Sequence, residues 1–123
     1  MIVRAAFLAG LLLLPGQSAF ALDLGDLDPD TRLIQTCDLE SMKQIENGPG
    51  TLHPDRAMID ALSAATITGN TAKGEGAVRS DGAWYRFSFE CTADAEHLRV
   101  KSFSFSLGDA IPRQQWERFG LFD

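Results

Sequence analysis

Residues 84–91 read Trp-Tyr-Arg-Phe-Ser-Phe-Glu-Cys, and this stretch decides the fold class. Its side chains alternate between two sets with a period of two, which is typical of a β-strand that buries one face. One set is aromatic and ends in a cysteine, and we predict that it faces the core: Tyr85, Phe87, Phe89 and Cys91. The other set is predicted to face outward: Trp84, Arg86, Ser88 and Glu90.

A tight turn immediately before this strand predicts an antiparallel partner. Asp81-Gly82 lies between two runs that favour strands, and this dipeptide is typical of a type I′ hairpin turn. The period of two continues on both sides of the hairpin. We therefore predict four antiparallel strands, near 65–69, 76–80, 83–91 and 98–107.

The last predicted strand changes phase halfway along. Leu98 and Val100 share one phase, whereas Phe103, Phe105 and Leu107 follow the other. A period of two allows this change only with one extra residue, so we predict a β-bulge at about Lys101-Ser102. The predicted register pairs 91 with 98 and 89 with 100 before the bulge, which puts Glu90 opposite Arg99. After the bulge, 103 is expected opposite 87 and 105 opposite 85.

Three helices are predicted around these strands. The first begins with Asp28-Pro29 as N-cap and first turn and ends near Glu46, before Asn47-Gly48-Pro49-Gly50. Its apolar stripe has a helical period and points Cys37 inward: Ile34, Cys37, Met42 and Ile45. A second helix is predicted from His53-Pro54-Asp55, with an inner side formed by Ala57, Met58, Ala61 and Leu62, and a third from Pro112 to just before Gly120, presenting Trp116 and Phe119. The predicted fold is thus α+β, a two-layer sandwich in the order α-α-β-β-β-β-α, with the helices on one face of a four-stranded antiparallel sheet.

The N-terminal segment predicts export. Arg4 precedes an apolar run over 5–14 that is too short to span a bilayer, Pro15-Gly16 break the run, and Ala19-Phe20-Ala21 offers small residues for a signal peptidase. We predict a signal peptide over 1–21, cleavage after Ala21 and one α+β domain over 22–123 that is not an integral membrane protein. A buried N-terminal helix and an uncleaved anchor are the alternatives.

Charge and cysteine content narrow the class further. Loss of Arg4 would leave 10 basic against 17 acidic residues, a net charge of −7, which argues against general binding to nucleic acid or anionic membrane. Cys37 and Cys91 are the two cysteines of the chain, and in an exported domain of this size such a pair predicts a disulfide. Two free buried thiols are the alternative.

Motifs for catalysis or cofactor binding do not emerge from the sequence. His53 and His97 stand 44 residues apart without a zinc-binding spacing, and no nucleophile motif accompanies them. The acidic residues at the start of the predicted domain lack the spacing of a calcium loop: Asp23, Asp26, Asp28 and Asp30. We expect no metal, no cofactor and no catalytic residue that the sequence can name.

One group of residues predicts a binding surface. The outer face of the predicted sheet collects four cations and a tryptophan, with Glu90 as its central acid: Arg79, Trp84, Arg86, Arg99 and Lys101. The hairpin register puts Arg79 opposite Trp84, where a cation–π contact can form. Such a face could recognise an anionic envelope glycan, a lipid head group or an acidic patch on a periplasmic protein. The alternative is an ordinary solvated face.

Several ordered motifs resemble the domain of unknown function 930 family. They are spread over nearly the whole predicted domain: Leu27-Asp28-Pro29, Cys37-Asp38-Leu39-Glu40, Pro54-Asp55-Arg56, Gly69-Asn70-Thr71, Trp84-Tyr85, Phe89-Glu90-Cys91, Ile111-Pro112-Arg113 and Trp116-Glu117-Arg118. The family occurs chiefly in alphaproteobacteria, so the resemblance implies a periplasmic location. It implies no activity and no catalytic residue.

Three functions stay open at this point. The first is a non-enzymatic binding or interaction module that uses the basic-aromatic face. The second is a structural or regulatory envelope protein with contacts on the acidic lead and first helix. The third is a small hydrolase without a local motif. A pocket that holds a strongly perturbed carboxylate or histidine would favour the hydrolase.

Overall fold

A single α-helix, α1 (Pro29–Glu46), packs on one face of a five-stranded antiparallel sheet in the computed structural model, which describes residues 23–123. The predicted signal peptide over 1–21 lies outside these described residues. The strands are β1 (Pro54–Met58), β2 (Thr66–Thr68), β3 (Thr71–Ser80), β4 (Ala83–Ala93) and β5 (Val100–Ala110). Their order is β1-β3-β4-β5, and the short β2 also pairs with β3. The α+β class is confirmed, although the described residues form one α-helix and five strands instead of three and four.

The first helix begins and ends as predicted. Asp28 is its N-cap and accepts a hydrogen bond from the Thr31 N–H at 3.0 Å, and Pro29 occupies the first turn. The side chains that α1 buries follow a helical period: Leu33, Thr36, Cys37, Ser41 and Ile45. This stripe directs Cys37 to the sheet.

The β3–β4 hairpin is also confirmed. Its turn residues Asp81 and Gly82 both have positive φ, 51° and 79°, as a type I′ turn requires. Cys37 and Cys91 form a disulfide with a Cα–Cα distance of 6.2 Å. Around it lies the inner cluster, the apolar core between α1 and the sheet, with Leu33, Ile45, Val78, Phe87 and Phe89 among its members.

The bulge in the last strand lies where the sequence predicts it, but the register is wrong by four residues. Thr92 pairs with Ser102 and Ala93 with Val100, so Lys101 is the extra residue. Phe103 lies opposite Cys91 and Phe105 opposite Phe89, instead of 87 and 85. Both strands extend beyond their predicted C-terminal ends, and a six-residue connection over 94–99 separates them. Each residue of β5 therefore pairs with a residue of β4 four positions later than predicted.

The predicted second helix is wrong. Residues 54–58 form β1, which pairs with the end of β3, and Ala57 lies opposite Val78. Gly76 makes room for this arrangement, because a Cβ there would lie 2.6 Å from the Ile59 Cα. The spacing of apolar residues in this segment fits a helix as well as a strand, and pairing with a distant strand decides between them.

The predicted C-terminal helix is wrong as well. The chain makes two short 3₁₀ turns, Arg113–Gln115 and Glu117–Phe119, and ends them at Gly120 with φ 72°. This segment packs on the face of the sheet opposite α1 and forms the outer cluster with β3 and β4: Ala77, Trp84, Ile111, Trp116 and Leu121. The helices therefore do not share one face, and the sheet is covered on both sides at this end.

Candidate functional site

The predicted basic-aromatic face is divided by the C-terminal segment. Trp84 is fully buried, and its indole N–H donates to the Phe122 carbonyl oxygen at 2.7 Å. Arg79 lies opposite Trp84 as predicted, with its guanidinium 5.8 Å from the indole centroid. Its side chain is only 15% exposed and is bound by Asp55 at 2.9 Å. The exposed outer position predicted for Trp84 is thus wrong, because residues 111–123 cover it.

The other three cations of that face lie at two opposite ends of it. Arg86 is half-buried against the C-terminal segment, 3.5 Å from the Gln115 side-chain oxygen and 6.0 Å from the Phe119 ring centroid. Arg99 and Lys101 are exposed at the opposite end of β4, where β5 begins. Between the two ends the face is lined mainly by serines and acids: Glu75, Ser88, Glu90, Ser104 and Ser106. The five predicted residues do not form one continuous patch.

A cleft between α1 and β1 is the second feature, and the sequence did not predict it. It has a volume of about 360 Å³, which is within the range of small-molecule pockets. Its apolar lining comes from the helix, from β1 and from the C-terminal end of the chain: Ile34, Leu39, Met42, Met58 and Phe122. Gln35, Ala57 and the charged residues Asp38, Asp55, Arg56 and Asp60 complete it.

The helical period explains how α1 builds one wall of this cleft. Ile34, Asp38 and Met42 are spaced four residues apart, so they lie on one ridge of the helix. Asp38 is thus an acid in the middle of an apolar ridge. Its carboxylate accepts a hydrogen bond from the Ile59 N–H at 2.8 Å, which ties the helix to the end of β1. This interrupted ridge was the sequence signal that could have pointed to the site.

The environment of Asp38 favours its neutral form. Burial is the main cause that raises the pKa of this carboxyl from 3.8 to about 7, and the nearby charge of Asp60 raises it further. The Ile59 N–H and the charge of Arg56 act in the opposite direction. On the rim, the hydrogen bond from Arg79 lowers the pKa of Asp55. The cleft therefore gains a negative charge as the pH rises through neutrality.

The two histidines have structural contacts outside the cleft. His53 pairs with Glu46 at 2.9 Å on the surface. His97 is buried and contacts the Pro29 carbonyl oxygen at 2.7 Å and the Asn70 side chain at 3.0 Å. Neither histidine lines the cleft, and within residues 23–123 no group of three or more His, Cys, Asp and Glu could hold a metal ion. Among those residues no helix is long and apolar enough to cross a membrane.

A family comparison covers almost all of this structure. The model of the family described as Domain of Unknown Function (DUF930) matches residues 24–121. The chain belongs to the DUF930 family. That match includes α1, all five strands and the C-terminal segment as far as Leu121, so the outer cluster and the whole cleft lining except Phe122 lie within the matched residues. No curated protein and no solved structure matches the chain.

Proposed function

We propose that this DUF930 protein is an exported, non-enzymatic binding module whose site is the α1–β1 cleft. Its ligand is a small amphiphile that carries an apolar segment and a cationic group. One observation carries the proposal. Three large hydrophobic residues are exposed among residues 23–123, and two of them, Leu39 at 56% and Phe122 at 44%, line the cleft that holds Asp38.

The apolar lining supports an apolar segment in the ligand. Leu39 and Phe122 gain from being covered, since burial is worth about 25 cal/mol per Å² of apolar surface. Met42 and Met58 add unbranched side chains that adapt to ligands of different shape. Exposed apolar side chains that converge on one concave site are typical of binding sites.

The charges of the cleft support a cationic group. Three carboxylates line it against the single cation Arg56. Asp55 is already paired with Arg79, which leaves Asp38 and Asp60 to face a ligand. A cation next to Asp38 would offset the cost of ionising a buried carboxyl, so ligand binding and ionisation favour each other.

Two features support the exported location. The N-terminal segment has the order of charge, apolar run and small residues of a signal peptide. The Cys37–Cys91 disulfide is typical of an oxidising compartment, such as the periplasm. An intact mass that begins at Leu22 is expected for the protein isolated from its compartment, and a mass that retains Met1 would contradict cleavage after Ala21.

Charge specificity is tested with three probes of equal chain length, octylammonium, octanol and octanoate. Binding is followed by tryptophan fluorescence, because Trp84 contacts Phe122 edge-on at 5.8 Å. At about pH 8 we expect the order octylammonium, octanol, octanoate, from tightest to weakest, and octylammonium should bind about tenfold more weakly at about pH 5. Asp38→Asn should remove the preference for the cation, whereas the exposed Asp26→Asn should keep it. Equal binding of all three probes to the parent would refute a cationic ligand.

The apolar wall is tested with two matched substitutions. Leu39→Gln changes an exposed residue in the cleft, and Leu98→Gln changes an exposed leucine outside it. Both should leave the stability within about 0.5 kcal/mol of the parent. Only Leu39→Gln should weaken octylammonium. Equal effects of the two substitutions would place the site elsewhere.

The same cleft supports a hydrolase as the second candidate function. A carboxyl with a pKa of about 7 is suited to general acid catalysis near neutral pH, and Asp60 could serve as the accompanying base. Turnover of a panel of nitrophenyl glycosides that is lost in both Asp38→Asn and Asp60→Asn would favour the hydrolase. No turnover, together with octylammonium binding, would favour the binding module.

We still propose that the outer face of the sheet binds anions, but with fewer residues than the sequence predicted. Arg99 and Lys101 are the exposed members of the predicted set, and Arg86 is accessible in part. An anionic envelope component could contact these cations without involving the cleft. The alternative function, a structural envelope protein with contacts on the acidic lead, also remains a proposal.

A further inference from the structure

The last strand forms a long open edge of the sheet. β5 pairs with β4 on one side, and among residues 23–123 no strand pairs with its other side. The opposite side of the sheet is shared by β1 and β2, which have five and three residues, whereas β5 has eleven. An edge of this length presents a row of unpaired N–H and C=O groups that another strand can use.

The central part of β5, residues 102–107, lacks the usual protection of such an edge. Residues 102–107 read Ser-Phe-Ser-Phe-Ser-Leu, with no charge and no proline. Edge strands are normally protected by lysines, prolines, bulges or short length. The two irregularities of β5 lie at its ends, at Lys101 and between Leu107 and Ala110, so the segment between them pairs regularly.

We propose that β5 is a homodimer interface, in which it pairs antiparallel with β5 of a second copy about a two-fold axis at Phe105. This register matches every position from Phe103 to Leu107 with a similar residue of the second copy. Phe103 lies opposite Leu107, and Ser104 lies opposite Ser106. The charges at the two ends then complement each other, because Lys101 lies opposite Asp109, and the two-fold axis makes that pair twice.

The exposure of the edge residues agrees with this arrangement. Phe103, Phe105 and Leu107 pack against the inner cluster but are only half-buried. In a continuous sheet the two-fold axis that relates the two β5 strands is perpendicular to the sheet, so the α1 helices of both copies lie on the same face. The three apolar side chains of each copy then cover those of the other copy, and the inner clusters join. The serines meet on the opposite face, where cross-strand hydroxyl hydrogen bonds can form.

The test for the edge itself is the oligomeric state of the purified protein by sedimentation over a wide range of concentrations. The parent should change from monomer to dimer as concentration rises. Ser104→Lys adds a positive charge to the edge near the two-fold axis, and its dimer should dissociate at least tenfold more readily. The matched control is Ser88→Lys, on the central strand β4 and exposed on the same face, which should leave dimerisation unchanged.

A charge exchange tests the register. Lys101→Glu puts a glutamate opposite Asp109 twice per dimer, and Asp109→Lys puts a lysine opposite Lys101. Each single change should weaken the dimer by about fivefold to thirtyfold. The double change Lys101→Glu with Asp109→Lys restores opposite charges and should recover most of the affinity. Lys73→Glu, an exposed reversal on β3, is the control for net charge.

Hydrogen exchange separates an edge dimer from other contacts. Amides of β5 that point away from β4 should become protected as concentration rises, while those of β1 do not change. A protein that stays monomeric at all concentrations would overturn the proposal. A dimer that withstands Ser104→Lys, or a double exchange that fails to restore affinity, would overturn it as well. Octylammonium binding should be equal in Ser104→Lys and the parent, since the cleft lies at the β1 side, so the two proposals fail independently.

Discussion

The inner and outer clusters lie on opposite faces of the same two strands but are built in different ways. The inner cluster combines a helical stripe with strand alternation and contains the disulfide between Cys37 and Cys91. The outer cluster forms only because the C-terminal chain folds back over Trp84. Both of its indole N–H groups donate to backbone of the returning chain, that of Trp84 to the Phe122 carbonyl oxygen and that of Trp116 to the Ile111 carbonyl oxygen at 2.9 Å. The inner cluster therefore follows from local sequence periodicity, whereas the outer cluster depends on contacts between β4 and residues that are distant in the sequence.

This difference explains why a regular alternation can mislead. On β4 the buried Phe87 and Phe89 belong to the inner face, and the buried Trp84 belongs to the outer face. Period-two analysis assigns Trp84 to the same side as Arg86 and Glu90, which is correct. It cannot show that this side is covered at one end. The cleft lies where the two regions meet, since Phe122 contacts Trp84 while α1 and β1 form the opposite wall.

Loss of the disulfide should destabilise the whole domain, the inner and outer clusters together. Replacing Cys37 and Cys91 together by alanine removes a crosslink between residues 54 positions apart, which is worth about 4 kcal/mol in the chain-entropy model. Both tryptophans belong to the outer cluster, so fluorescence reports that cluster while circular dichroism reports the sheet. Because β4 carries both clusters, the two signals should change together in a urea titration. A loss below about 1 kcal/mol would show that the crosslink contributes little.

Trp116→Ala should destabilise the outer cluster and leave the inner cluster folded. Removal of a buried tryptophan costs about 3 kcal/mol, and here the loss is limited to the free energy that holds residues 111–123 on the sheet. The Ile111 N–H donates to the Trp84 carbonyl oxygen at 2.8 Å, so its hydrogen exchange should become faster. Amides that pair β3 with β4 beside Cys91 should keep their protection. Equal acceleration at both places would show that the clusters unfold as one unit.

Those parts of the fold that depend on local patterns could be predicted from the sequence. Asp28-Pro29 determined the start of α1, Asp81-Gly82 the hairpin, and the change of phase after Val100 the bulge. Residues 54–58 could not be assigned, because their strand exists only through pairing with residues 77–80 of β3. The register of β4 with β5 also failed, since it depends on a turn in which Asp94 accepts from the Leu98 N–H at 2.9 Å.

The candidate site was harder to predict than the fold. The sequence drew attention to arginines on a strand, whose exposure depends on distant segments such as the one around Phe122. Asp38 lies in the family motif Cys37-Asp38-Leu39-Glu40. Its burial, however, results from the packing of β1 against α1, which the sequence did not predict. A single acid inside an apolar helical ridge is the local signal that remains.

Asp38→Asn should change the pH dependence of stability by a smaller amount. The folded state raises the pKa of Asp38 to about 7, so it keeps a proton that the unfolded chain releases. The stability is therefore greatest at low pH and falls as pH rises from about 4 through about 7. Asparagine keeps the acceptor for Ile59 without the charge, so the variant should exceed the parent by on the order of 2 kcal/mol at about pH 8. At about pH 5 the difference should be smaller by on the order of 1 kcal/mol, because the unfolded chain has already released this proton there while the folded protein keeps it, and urea titrations at both values measure it.

The difference in stability between parent and variant at these two pH values reports the ionisation of Asp38 and not that of other groups. The pKa of Asp55 is lowered by Arg79, so that carboxyl stays ionised over the whole range. The pKa of His53 is raised by Glu46, but His53 titrates equally in parent and variant and cancels in their difference. A variant that is less stable than the parent at the higher pH would show that the ionised carboxylate is favoured by its neighbours. It would also weaken the case for a cation in the cleft.

The smallest effect is expected from the cations outside both clusters. Lys101→Ser changes an exposed residue, so stability should change by less than about 0.5 kcal/mol. Arg86→Ser should cost somewhat more, because Arg86 borders the outer cluster through Gln115 and Phe119. Phe87→Ala is the opposite control, expected to cost about 3–5 kcal/mol because it leaves a cavity in the inner cluster.

Binding to charged vesicles then decides whether these cations form a recognition surface. The probes are vesicles of phosphatidylcholine with and without phosphatidylglycerol, and binding is measured by co-sedimentation at low and high salt. An anion-binding face should favour the anionic vesicles, lose binding as salt rises and lose it in the Arg86→Ser, Lys101→Ser double variant. Equal binding of parent and double variant would leave Arg86, Arg99 and Lys101 as an ordinary solvated surface. It would also leave the cleft, where the two clusters meet, as the remaining site of recognition.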